Sequence, residues 1–165
     1  MPKETKKYNH FEYGKMLADK LKPIQGRYYK ATEQTEMQEL SVQLSEAKDT
    51  ILIAVDGAES SFSFPNSDSL LEYPKYSFAI VSQTDSSDVQ TVLNAQNKCK
   101  EFAKQIIAKM LQDAIKYKNG LEFVDGGSFK IAGMGPVGDN FYGVLLTISF
   151  SQGISYCLNK SMWED

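Results

Sequence analysis

The residues Gly133-Met134-Gly135-Pro136-Val137-Gly138 have the spacing of a glycine-rich loop that holds a dinucleotide pyrophosphate. That chemistry requires the loop to open a helix, so that backbone N–H groups and the positive end of the helix dipole face the phosphates. Here Pro136 and Asp139-Asn140 lead instead into a strict strand alternation, which predicts a glycine-rich turn and no cofactor. Paired carboxylates could do acid–base work, and Asp56, Asp125 and Asp139 are the candidates. Each lies at or beside a turn, where an aspartate supports the backbone by accepting nearby N–H groups. Nucleophilic catalysis needs a base, and the single histidine, His10, lies beside a helix start, where a surface position is expected. Cys99 and Cys157 have neither metal-ligand nor nucleophile spacing, so both are expected to be buried structural thiols. The sequence therefore predicts a protein that is not an enzyme, with no catalytic residues, cofactor or metal.

The elements that would position any site follow from periodicity. From Ser87 to Lys118 the apolar residues Val89, Val92, Leu93, Ala95, Cys99, Phe102, Ala103, Ile106, Ile107, Met110, Leu111, Ala114 and Ile115 recur every three or four positions, as one inward stripe of a long helix requires. The opposite face, which includes Lys98, Lys100, Glu101, Lys104 and Lys109, is expected to be solvated, with Asp113 in the same charged set. Ser87 and Gln90 have capping-box spacing, and Lys116, Lys118 and Asn119-Gly120 supply a basic end and a stop. A shorter helix is predicted from Asn9, with Glu12 at capping distance, through Tyr13, Leu17 and Leu21 to a stop at Pro23. Residues 1–8 precede it as a mobile basic arm.

Between the helices lie strands. Leu40, Val42 and Leu44 alternate with polar residues and predict a half-buried strand, and Thr50–Val55 is a continuous apolar run expected to be a central one. Residues 56–74 form a long polar, Ser-rich loop or hairpin arm in which Phe62 and Phe64 alternate with serines. Tyr76, Phe78 and Ile80 predict a strand leading to the long helix. After it, Leu121–Val124 and Ser128–Ala132 flank the hairpin signal Asp125-Gly126-Gly127, Gly133 to Asn140 is expected to be a loop, and Phe141–Phe150 is a long strand. Strands in consecutive groups joined by turns predict an α+β domain over 1–165: a mostly antiparallel sheet with one long helix across a face and a short N-terminal helix.

Composition bounds the function. In 165 residues, 42% hydrophobic and 12% aromatic, there is enough apolar material for a real core, and the net charge of -3 disfavours a protein whose whole surface grips nucleic acid. The start of the sequence lacks an apolar signal-peptide core, and no run approaches membrane-spanning length, so neither secretion by a signal peptide nor membrane insertion is expected. Phe62, Phe64, Tyr73 and Trp163 lie in polar or terminal surroundings where a monomer gains little from them, which marks them as a candidate assembly interface.

The layout resembles that of tailed-phage tail terminators, or tail completion proteins, and related neck-ring proteins. The resemblance is carried by the N-terminal helix Asn9 to Leu21, the run Thr50–Val55, the segment Tyr76–Val81 entering the long helix, and Asp139-Asn140-Phe141-Tyr142-Gly143 before the last strand. It is a likeness of layout and transfers no functional residue. It implies a structural virion protein, assembled in the host cytoplasm, whose subunits close into a homo-oligomeric ring, for example a hexamer, at the head-tail connection. Its partners would be other neck or tail proteins, with no membrane and no sequence-specific nucleic acid. The segment from Asp56 to Tyr73 would correspond to the arm such proteins set against neighbouring rings. The alternative is a cytosolic small-ligand or protein-binding α+β module, and solution mass separates the two.

Overall fold

The apolar run at Thr50 is the start of a strand far longer than its hydrophobic part. In a computed structural model, which describes residues 6–33, 40–85 and 88–164, β2 runs from Thr50 to Asn66 and turns directly into β3, Ser69–Gln83. The other strands are β1 (Tyr28–Ala31), β4 (Lys130–Val137), β5 (Phe141–Ser149) and β6 (Gln152–Ile154). The helices are α1 (His10–Lys20), α2 (Ser41–Leu44) and α3 (Val89–Ile115). The sheet order is β1-β2-β3-β5-β4, with β6 pairing the distal part of β3. Among the described residues β1 is parallel to β2 and the other pairings are antiparallel. The fold is α+β, a mostly antiparallel sheet with one long helix and a short N-terminal helix.

Strand alternation gives the sheet two buried faces. On one, Leu52, Ala54, Phe78, Ile80, Val144 and Leu146 pack against α1 and α3. The other buries Ile51, Ile53, Ala79 and Val81 under Leu40 and Leu44. The latter pair corrects one expectation: Leu40 to Leu44 is not a strand. Ser41–Leu44 is a single helical turn, and leucines four apart stand on the same side of it, sealing the sheet, while Val42 is 81% exposed. The rest of that predicted strand, 34–39, lies outside the described residues.

The long helix is shorter than its periodic pattern. Ser87 lies outside the described residues; the cap is Asp88, whose carboxylate accepts from the Gln90 N–H at 2.9 Å. The helix ends at Ile115, where Tyr117, Asn119 and Gly120 take positive φ. The lysines expected in its last turn therefore follow it. Its buried line is Ala95, Cys99, Ala103, Ile106, Met110 and Asp113; Val89, Leu93, Leu111 and Ile115, expected in the inward stripe, are exposed instead, because they stand on the flank of the helix away from that line. Asp113 is thus a correction to the solvated charged face.

Further differences follow from packing. Leu121–Phe123 is a 3-10 turn that buries Leu121, not a strand, and Asp125-Gly126-Gly127 is a turn between this element and β4. Much of the expected glycine-rich loop lies within β4, and only Gly138 to Asn140 turn the chain into β5. Gly143 is required by the sheet itself, because a Cβ there would run into the Ile80 carbonyl on β3.

Candidate assembly surface

The body of the molecule holds two buried polar networks. His10, expected at the surface, is 1% exposed. Its Nε2–H donates to the Ser77 carbonyl at 2.7 Å, so its Nδ1 accepts from the Tyr8 hydroxyl, also at 2.7 Å. Tyr76 and Phe78 lie against its ring, with centroids 4.9 and 4.2 Å away. The first helical position of α1 points into the sheet, and that is why a histidine beside a cap became core. Burial pulls its pKa down to about 4, against the upward pull of the Ser77 carbonyl and the Asp56 charge. Tyr8 is buried too, so the N-terminal arm is anchored by its eighth residue. Its phenol is pushed well above the ordinary value, first by desolvation.

The second network joins α1 to α3. Asp113, 2% exposed, accepts from the Tyr13 hydroxyl and from the Lys109 ammonium, each at 2.8 Å. Desolvation pushes its pKa up, but the bonds from Lys109 and Tyr13, with the charges of Lys109 and Lys118, more than offset it and leave the group below its ordinary value. Every polar atom in these two networks faces a partner, as buried groups in a stable core must.

The candidate chemistry of the sequence disperses. Asp125 accepts from the Gly127 N–H at 2.9 Å, the turn-supporting role expected of it; Asp56 lies not at a turn but inside β2, at an irregularity of the strand, where it accepts from the Ala58 N–H at 3.0 Å; and Asp139 is exposed between β4 and β5. Among the described residues no group of three or more His, Cys, Asp or Glu could hold a metal ion. The glycine-rich motif lies in the β4–β5 hairpin and opens no helix. Cys99 is buried as expected, with its thiol pushed up to about 12 by desolvation, whereas Cys157 is exposed, because the chain after β6 lies outside both cores.

What remains is the arm. Thr50–Val55 pairs with Ser77–Ser82; after an irregularity at residues 56–58, Glu59–Ser63 continues against Leu71–Lys75, closing at Asn66 and Ser69. The Asn66 side chain holds this turn by accepting from the Asp68 N–H and the Ser69 hydroxyl at 3.0 and 3.1 Å. Eight residues of extended chain from Glu59 reach roughly 25 Å. β5 stops opposite Lys75, and from there β6 replaces it, so the arm is three-stranded.

Register fixes what each side of the arm carries. Phe62 is opposite Glu72, which shares one face of β3 with Pro74, Tyr76, Phe78 and Ile80. Phe62 and Phe64 therefore continue the face that the helices cover in the body, yet they are 58 and 56% exposed. Tyr156 joins them: its ring meets Phe64 edge-on at 5.5 Å, and its hydroxyl donates to the Ser67 carbonyl. Glu72 sits among them, accepting from the Ser60 hydroxyl at 2.9 Å and the Gln152 amide at 3.1 Å. Tyr73 faces the other way, half-buried, its hydroxyl 3.1 Å from that of Ser63. Trp163, 66% exposed, follows the 3-10 turn Lys160–Met162 in the C-terminal segment. Of the four candidate aromatics, the fold brings Phe62 and Phe64 to one face and puts Tyr73 on the opposite one.

Tyr156 and Glu72 were missed by sequence reasoning. The pairing of β6 with β3 joins residues some eighty positions apart, and no local pattern announces it.

No helix among the described residues is long and apolar enough to cross a membrane. The chain matches no known family model and no curated protein.

Proposed function

We propose that this chain is a structural subunit that works by assembly, closing into a ring through heterologous contacts in the role of a tailed-phage neck or tail-terminator component. The observation that carries the reading is the arm: a sheet face in register with the hydrophobic core, bearing Phe62 and Phe64, extends beyond the helices and is left uncovered. Exposed aromatics clustered on a strand-paired projection suit contact with another protein surface. A contact between an arm and a different patch of the next copy is heterologous, and repeating it yields a ring when its rotation closes and an open filament when it does not. The virion role rests on the likeness of layout described above.

A small-ligand module has less support. Clefts beside Lys6 and Lys7 and between α1 and α3 measure about 200 to 220 Å³. That is below the roughly 300–1,000 Å³ usual for ligand sites. A larger hollow of about 420 Å³ at the β2 irregularity is lined mainly by polar groups such as Thr32, Glu59, Lys75 and Ser77.

The test is solution mass by light scattering over a concentration series, with negative-stain imaging of the largest species. Closed rings are expected; a monomer at every concentration would sink the assembly reading and favour the binding module.

A further inference from the structure

The assembly reading leaves open what covers the arm. In the body, the same sheet face is covered by helices, and α3 is the longest of them. The outward side of α3 carries its own uncovered row: Leu93, Lys100, Lys104, Leu111 and Ile115, spaced at multiples of the helical repeat and all exposed. Leu111 is 37% and Ile115 79% exposed, so the row is apolar at both ends and basic in the middle.

Charge separates the two surfaces. Residues 89–118 carry six lysines against Glu101 and Asp113, a net of +4, and two of those lysines, Lys100 and Lys104, lie in the row; residues 56–75 carry four acids against Lys75, a net of -3, and of these strand register puts Glu72 on the helix-side face of the arm. Two α3 rows set against each other would oppose lysines to lysines near their centres, which works against a symmetric helix-to-helix dimer. The arm face offers the complement: Phe62 and Phe64 for the leucine and isoleucine, and Glu72 between strands for the lysines.

We infer that the helix-side face of the arm docks on the outward row of α3 of a second copy of this chain. The contact rests on the assembly reading and deepens it, since it names both halves of the repeating interface. It places a helix on the uncovered sheet face, the packing that the same face already has in the body. Lys104 would exchange its exposed pairing with Glu101, 2.7 Å away, for an acidic neighbour at the interface.

Complementation tests it, using the full chain. The arm variant Phe62→Ser with Phe64→Ser and the helix variant Leu111→Ser with Ile115→Ser alter only exposed side chains, so both keep the wild-type circular dichroism spectrum. Each alone should assemble roughly thirtyfold more weakly or worse, as losing buried anchor residues does. Mixed in equal amounts, they retain one good arm and one good row between them, and sedimentation should show a one-to-one dimer that grows no further. A helix variant that assembles like wild type overturns the inference while leaving the ring reading intact. Two assembly-defective variants that stay monomeric when mixed overturn the arm-to-helix pairing. A wild-type chain that never assembles overturns both readings together.

Discussion

Along β3 one face of the sheet meets two different surroundings. At Phe78 and Ile80 it lies beneath α1 and α3, wholly buried, with His10 and Asp113 each tied to partners above it. Six residues before Phe78, at Glu72, no helix covers the face, and it carries Phe62, Phe64 and Tyr156 exposed beside the half-buried Leu70 and Glu72. Between the two lies a cleft where Pro74, Tyr76 and Phe150 meet Tyr8, the point at which the helical layer ends. Strand pairing alone therefore does not define a core. The backbone ladder continues through body and arm alike, and burial follows only where a second layer is present.

The largest expected difference between the two regions is in packing. Phe78→Ala should cost about 3–5 kcal/mol in urea unfolding, because a fully buried ring leaves a cavity. Phe64→Ala should cost the monomer under about 1 kcal/mol, as an exposed ring has little burial to lose. Equal losses would mean that the arm is core.

Proton linkage comes next. With its pKa held near 4, His10 stays neutral in the fold while the unfolded chain takes up a proton below about 6.5. Its contribution is complete above that pH and declines as pH falls from 6.5 to 4, by roughly 3 kcal/mol. The variant His10→Phe should lack this part of the slope in a pH series of unfolding free energies. If variant and wild type run parallel, the histidine is not buried as described.

Hydrogen bonds give a smaller contrast. Asp113→Ala would leave the Tyr13 hydroxyl and the Lys109 ammonium without their shared acceptor, at an expected cost of about 1–3 kcal/mol. Tyr73→Phe removes the half-buried bond to Ser63 in the arm and should fall within about 0.5 kcal/mol of wild type. Both can be read from denaturation midpoints at a fixed slope. A Tyr73 effect as large as that of Asp113 would mean that the arm is held by its own polar contacts.

Much of the architecture is legible from local patterns. The Asn9 cap and the helix it starts, the run Thr50–Val55, the strand from Phe141 and the inward position of Cys99 each follow from a period or a cap, because the hydrogen bonds and burial concerned are settled within a few residues. The failures share a cause. His10 looked exposed from its place beside a cap, Asp113 from its charge, and Leu40 to Leu44 looked extended from a two-residue alternation.

The sequence by itself determined which segments become helix or strand over most of the chain and the centre of the long helix's inward line, Ala95, Cys99, Ala103, Ile106 and Met110, since side-chain periodicity is a property of the local backbone. Only the tertiary structure decided that a sheet face built like core would run out past its helices, that β6 and Tyr156 would come back to join it, and that a histidine and an aspartate would be enclosed. Those outcomes depend on where a second layer ends and on pairings between distant residues, and neither is encoded in the spacing of neighbours.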